Sequence, residues 1–175
     1  HTIRAFDKAG LVGAMIEDQV WPKRCGHLKG TVVIHFEEAV SMIKADAYAR
    51  LDSDFVIMSR TDTFAVHGLD DVIERLNAFA EAGADLIFAD ALLSEEDIIK
   101  VVEKTSKPLC VNMGFGLRTR STTPLISAKR LEAIGVGAVI YPRLLTGAAI
   151  VGMTRALEGL QTAMASEEVI EKPEL

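Results

Sequence analysis

Little in this chain ties it to a membrane, an export route or a nucleic acid. No apolar run approaches the roughly 18–20 residues that a bilayer span requires, and the N-terminus lacks the basic-then-apolar layout of a secretory leader. There is no basic excess either. The net charge of −6 offers no field for polyanions or anionic lipid, so an acidic ligand must be held by local cations or by a metal. Cysteine is scarce, and Cys25 and Cys110 are too few for a disulfide framework. These absences point to a cytoplasmic protein with a small-molecule site, and to neither nucleic acid nor membrane as a partner. A phosphate-cradling loop is missing as well: Gly114 and Gly116 lack the spacing of a dinucleotide fingerprint, which demotes a Rossmann-type reading.

What is present is a β/α alternation. The 175 residues, nearly half of them apolar, suffice for one buried domain. After an opening helix at residues 2–9, five strand-like runs follow at 12–18, 54–62, 84–91, 108–114 and 136–142. Between them, residues 37–50 place Val40, Ile43 and Ala47 on one helical face, and residues 69–82 do the same with Leu69, Val72, Ile73, Leu76 and Phe79. Ser94 followed by Asp97 resembles a capping box that opens a further helix, and residues 144–166 form a last helix that is apolar on more than one side.

The runs at 55–58 and 136–140 are apolar without strict alternation, as in a parallel sheet covered on both faces. Right-handed connections then curl the units into a barrel or lay down an open sheet. Glu17, Arg60, Asp62, Asp90 and Asn112 all fall at the C-terminal ends of strands, where the loops of a barrel converge, so the expected class is α/β, a (β/α)8 TIM-type barrel. A barrel has eight units and five are found. Residues 1–175 are therefore read as the C-terminal five βα units of a single domain, about strands four to eight, since five alone would leave a sheet edge unpaired.

The most informative stretch is Glu17-Asp18-Gln19 followed by Pro22-Lys23-Arg24-Cys25-Gly26-His27. A strand ends in two carboxylates, and a loop then presents two cations, a thiol, a glycine and an imidazole. Carboxylates suit a hard cation such as Mg2+, which takes oxygen ligands and keeps several waters. A thiol beside two cations yields a proton more readily than an isolated one. Alternation sends Glu17 and Asp18 to opposite faces, so one of them, taken to be Glu17, reaches the metal region. Gly26 lets backbone approach a ligand closely.

These residues resemble the signature loop of the isocitrate lyase/phosphoenolpyruvate mutase superfamily, in the version shared by methylisocitrate lyases, dimethylmalate lyases, oxaloacetate hydrolases and carboxyphosphonoenolpyruvate mutases. Ser59-Arg60-Thr61-Asp62, Phe88-Ala89-Asp90-Ala91, Asn112 and Ile140-Tyr141-Pro142 follow in the family's order, so the resemblance covers nearly the whole chain. It implies Mg2+, with Mn2+ as the alternative ion, under the carboxylate of a 2-oxo or 2-hydroxy acid, an enolate intermediate, and a mobile loop. Glu17 matches an outer metal ligand acting through water, Cys25 the general acid, and Arg60 the residue holding a carboxylate or enolate oxygen. Gly26, His27, Asp90 and Asn112 match substrate-lining positions. The two aspartates that anchor the metal in the family belong to strand three, outside this chain. Homotetramers, as dimers of dimers exchanging C-terminal helices, are also implied, and the many apolar residues between Leu144 and Leu160 agree with a covered surface.

Two departures bear on substrate. Asp90 stands where relatives commonly carry Glu. Gly147 stands where methylisocitrate lyases carry an arginine clamp, with Arg143 near enough to substitute. The leading reading is a Mg2+-dependent lyase that splits a C–C bond in a small 2-hydroxy di- or tricarboxylate of the 2-methylisocitrate or dimethylmalate type and releases a 2-oxo acid. The alternatives are an oxaloacetate hydrolase or a carboxyphosphonoenolpyruvate-type phosphonomutase on the same scaffold, and a non-enzymatic scaffold or partner subunit. Single residues also have plainer readings: Arg60 as an ion-pair partner of Asp62, Asp90 and Asn112 as structural hydrogen-bonders, Cys110 as a core thiol, and His35 and His67 as surface residues.

Overall fold

Short β-branched and apolar runs pair edge to edge in the order in which the chain makes them. β1 (Gly13–Glu17), β2 (Val56–Thr61), β3 (Leu86–Ala89), β4 (Leu109–Asn112) and β5 (Ala138–Ile140) form one parallel sheet, β1-β2-β3-β4-β5. Every crossover steps to the adjacent strand in the same direction, without the reversal that an open doubly wound sheet has at its switch point. The sheet is thus an arc of a TIM-type barrel. The computed structural model describes residues 1–26, 30–114 and 123–167.

Helices follow each strand: α1 (Thr2–Lys8) precedes β1, and α2 (Phe36–Ala49), α3 (Phe64–His67), α4 (Leu69–Glu81), α5 (Glu95–Lys104), α6 (Ala128–Ile134) and α7 (Leu144–Ala165) come after. Ser94 caps α5 by accepting from the Asp97 N–H at 3.0 Å, and Ser127 caps α6 in the same way from Arg130 at 3.2 Å. Among the described residues no helix is long and apolar enough to cross a membrane. The short helices α3 and α6 were not expected from the sequence.

Strand alternation divides the sheet into two faces. Ile57, Ile87, Leu109 and Val111 turn to the helices and pack with Ile43, Val72, Leu76, Phe79, Ile98 and Val101 into one core. The alternate residues line the inner face in layers. The register pairs Glu17 with Arg60, Arg60 with Phe88, and Phe88 with Cys110, so these four form one row across the sheet. Two residues further along each strand come Gln19, Asp62, Asp90 and Asn112, a second row at the C-terminal rim. Helix α7, by contrast, has no buried residue.

Candidate active site

Arg60 is the centre of the inner rim. Burial works against its charge, but a two-pronged bond to Asp62 and the charges of Asp90, Asp62 and Glu17 outweigh that and hold the guanidinium more firmly protonated than in water. Its Nε donates to Asp62 Oδ1 at 2.6 Å, and its Nη2 to Asp62 Oδ2 at 2.9 Å and Asp90 Oδ2 at 2.7 Å. Glu17 Oε2 lies 3.4 Å from Nε, and the Phe88 ring lies 5.2 Å beneath the guanidinium. Asn112 Nδ2 donates to the other oxygen of Asp90 at 3.2 Å. The buried Asn112 Oδ1 has no hydrogen-bond partner among the described residues, so this face offers one acceptor to a hydroxyl. Immediately after Asp90, Ala91 adopts a φ of 62°, a left-handed conformation that costs a non-glycine residue about 1–2 kcal/mol and turns the chain sharply at the rim.

The loop after β1 descends onto this cluster. Gln19 makes the connection: its side-chain amide accepts from the Arg24 N–H at 2.8 Å, donates to the Arg24 carbonyl at 2.8 Å, and donates to Asp62. Lys23 reaches Glu17 Oε2 at 2.7 Å. Gly26 is packed so closely that a Cβ there would collide with the carboxylate oxygens of both Asp90 and Asp62. Cys25, a free and half-buried thiol, is the residue before it. The sequence therefore places its proposed acid next to a backbone segment seated directly on the carboxylates that hold Arg60.

Behind the strand ends lies a second, buried cluster. Asp18 turns to the helix side, as alternation requires, where it accepts from the Thr61 hydroxyl at 2.6 Å and the Asp62 N–H at 3.0 Å. Arg75 of α4 donates to it at 3.2 Å. Desolvation raises the Asp18 pKa above the usual carboxylate range despite these partners. Cys110 shares the inner row with Arg60 yet is fully buried, and burial pushes its thiol up to about 11, in keeping with a core role.

Glu17, Arg60, Asp90, Asn112 and Gly26 are thus brought together, with Cys25 adjacent, while His27 lies outside the described residues. His35 and His67 are exposed, as expected. Gly147 and Arg143 sit at the start of α7, where Arg143 is exposed and no atom of the described residues stands within 4 Å of the space a Gly147 side chain would take. Two site residues were missed in the sequence. Asp62, a strand-end and motif residue, and Gln19, part of the signature loop, carry no assigned role in the sequence reading, although Gln19 follows Glu17 by two and so shares its face.

Oxygen donors of this kind suit Mg2+, and the cluster formally carries three carboxylates, Glu17, Asp62 and Asp90, against the two cations Arg60 and Lys23. Among the described residues, however, no three acidic, histidine or cysteine side chains converge to hold an ion by themselves. Of the three carboxylates, Glu17, a fifth exposed and at the end of its row, is the one that could contribute to holding an ion together with groups outside the described residues.

Comparison with known proteins bears on the family and the fold. Residues 1–161 match the family model described as phosphoenolpyruvate phosphomutase. The 2,3-dimethylmalate lyase of Eubacterium barkeri is 39% identical over 168 residues, 96% of this chain and 55% of that protein. A probable 2-methylisocitrate lyase of Corynebacterium glutamicum is 43% identical over 168 residues, 93% of this chain and 53% of that protein. Among solved structures, a 2,3-dimethylmalate lyase superimposes with a TM-score of 0.85 at 32% identity, over 97% of this chain and 57% of the other. An oxaloacetate acetylhydrolase bound to 3,3-difluorooxalacetate gives 0.85 at 30%, over 99% and 57%. The chain spans about half the length of the curated relatives it matches.

Proposed function

Because the chain belongs to the phosphoenolpyruvate phosphomutase family, we propose that it carries the proton donor and the carboxylate holder of a carbon–carbon lyase acting on a small 2-hydroxy dicarboxylate of the dimethylmalate type. The observation that carries the reading is the seating of the Cys25–Gly26 backbone on the carboxylates that grip Arg60, which joins an acid and a cation at one strand-end rim. The five parallel strands support reading residues 1–175 as the last five units of the barrel that completes this site.

The reaction divides among the residues as follows. The substrate's 2-hydroxyl passes its proton to water in the site, C2 becomes a carbonyl, and the C2–C3 bond breaks with its electron pair passing to the departing carboxylic acid as an enolate. Arg60 binds the carboxylate in which that charge develops, exchanging part of its hold on Asp62 and Asp90 for the ligand. Cys25 then donates its proton to C3, which yields the saturated acid beside the 2-oxo acid. Asn112 Oδ1 accepts from a substrate hydroxyl. Mg2+, or Mn2+ in its place, is the cofactor this reading calls for; Glu17 would help hold it, and the ion's positive charge would steady the 2-oxo carboxylate.

A dicarboxylate is favoured over a tricarboxylate because Gly147, at the place of the relatives' arginine clamp, presents no side chain and Arg143 is exposed at the start of α7. The likeness to oxaloacetate acetylhydrolase favours a second reading, hydrolysis of a 2-oxo diacid with water in place of the retro-aldol step. The full-length protein assayed with Mg2+ should release pyruvate from 2,3-dimethylmalate faster than from 2-methylisocitrate. Oxalate formed from oxaloacetate, with no 2-oxo acid from either malate-type substrate, would replace the lyase with the hydrolase.

A further inference from the structure

We propose that Arg75 is a positioning residue for Cys25, acting from behind the sheet by gripping both ends of the loop that carries the thiol. Its consequence for turnover rests on Cys25 being the proton donor; its geometry does not. The loop leaves the end of β1 and returns to the start of α2 through a narrow neck. Ile34 N–H donates to the Asp18 carbonyl at 2.8 Å, Val20 N–H to the Val32 carbonyl at 2.9 Å, and Gln19 bridges Val33 in antiparallel fashion.

Arg75 lies under this neck, 4% exposed. Its Nη1 donates both to Asp18 Oδ2 at 3.2 Å and to the Ile34 carbonyl at 3.1 Å, the first and last residues of the neck. Its Nε donates to Asp71 Oδ2 at 2.9 Å, and Asp71 in turn accepts from the Thr63 hydroxyl just beyond β2. The guanidinium plane lies 5.9 Å from the ring of Phe36, the first residue of α2. A flat, forked cation serves these separate directions at once, which a lysine ammonium on a flexible stem does not reproduce.

The grip is transmitted to the front by bonded contacts. Asp18 is flanked by Glu17 and Gln19, both on the inner face, and it holds the Asp62 N–H. Gln19 in turn fixes the Arg24 backbone through two bonds, one residue before Cys25. Loosening Arg75 therefore frees the neck, then Gln19, then the main chain that carries the thiol. The neck, with both ends held by one side chain, is the discrete element through which this coupling passes.

Peptide-resolved alkylation of the full-length protein by iodoacetamide tests the proposal. Cys110, 0% exposed, reports global unfolding in the same sample. Arg75→Lys should raise the Cys25 rate about tenfold with Cys110 still protected, because the opening is local to the loop. It should also lower kcat more than it raises KM, since Arg60 is untouched. Val101→Ala, in the core under α5, should lower Tm while leaving the Cys25 rate within about twofold of the parent, since its contacts are distant from the loop. An Arg75→Lys protein whose Cys25 rate matches the parent overturns the proposal. Should Arg75→Lys not fold, Asp18→Asn, which keeps an acceptor for the Asp62 N–H but weakens the grip on Arg75, decides by the same measurement: a raised Cys25 rate supports the grip and an unchanged one contradicts it. If no variant and no parent turns over a diacid, the lyase reading fails while the alkylation result still stands or falls on its own.

Discussion

Two arginines flank the same strand ends, both bind aspartates, and they are built for opposite purposes. Arg60 stands on the inner rim with three carboxylates within 3.4 Å of its nitrogens, more negative charge than it can neutralise, and its side chain is 12% exposed. Arg75 stands on the helix side at 4% exposure with two carboxylates, a backbone carbonyl and an aromatic ring as its partners. An arginine held by surplus acids at an open rim can trade one of them for a ligand's carboxylate. An arginine whose Nε and Nη1 donors are committed to buried partners holds structure, and what it holds here is the loop that reaches back over the first.

The comparison is sharpened by changing each in turn. Arg75→Met leaves Asp18 buried without its cation, and urea denaturation should show a loss of about 3–5 kcal/mol, the cost of breaking a buried pair by removing one member. Arg60→Lys keeps a charge at the rim but loses the fork, and kcat/KM should fall about 10²–10³-fold with little change in the denaturation midpoint. If instead Arg60→Lys unfolds the protein and Arg75→Met leaves it stable, the division of labour is the reverse of the one drawn above. Gly26→Ala forces a Cβ against Asp62 and Asp90 and should displace the loop, with a loss of about 10²-fold in kcat while the circular dichroism spectrum is retained.

The smallest effect concerns pH. Burial raises the folded pKa of Asp18 above its unfolded value, so the native state binds this proton first as pH falls. The stability Asp18 contributes is therefore fully present below its unfolded pKa and is lost as pH rises through its folded pKa. Thermal denaturation of the parent and Asp18→Asn at neutral and mildly acidic pH checks the sign: the difference should move in favour of the parent on acidification.

Much of this fold was legible because burial repeats itself along the chain. Residues 37–50 and 69–82 carry enough turns for a stripe to emerge, and α2 and α4 end one residue short of those limits. Ser94 marked the start of α5 through a bond that forms as read. Helix α6 was missed because seven residues with Leu131 alone buried show no repeat. The strand ends run past β1, β2 and β3 in the sequence reading because apolar patterning does not reveal that Asp18, Asp62 and Asp90, just beyond them, turn their side chains to polar bonds. In the site, the strand-end carboxylates and Arg60 could be located from the β/α alternation, whereas their mutual distances depend on register. Gln19 was readable from its spacing to Glu17. Arg75 was half readable: it falls three residues after Val72 and four before Phe79, on the apolar stripe of α4, but nothing in the sequence says that an arginine there meets Asp18 from 57 positions away.

The proposed lyase chemistry depends on Cys25 as an acid working over an independently held ligand. Cys25→Ser in the full-length protein, with 2,3-dimethylmalate and Mg2+, measures this directly when substrate binding by calorimetry is set beside turnover. Binding within about threefold of the parent and kcat lowered about 10²–10⁴-fold is the predicted result, since a hydroxyl is a far weaker proton donor than a thiol and Arg60 still holds the carboxylate. A serine variant that turns over at the parent rate would contradict it.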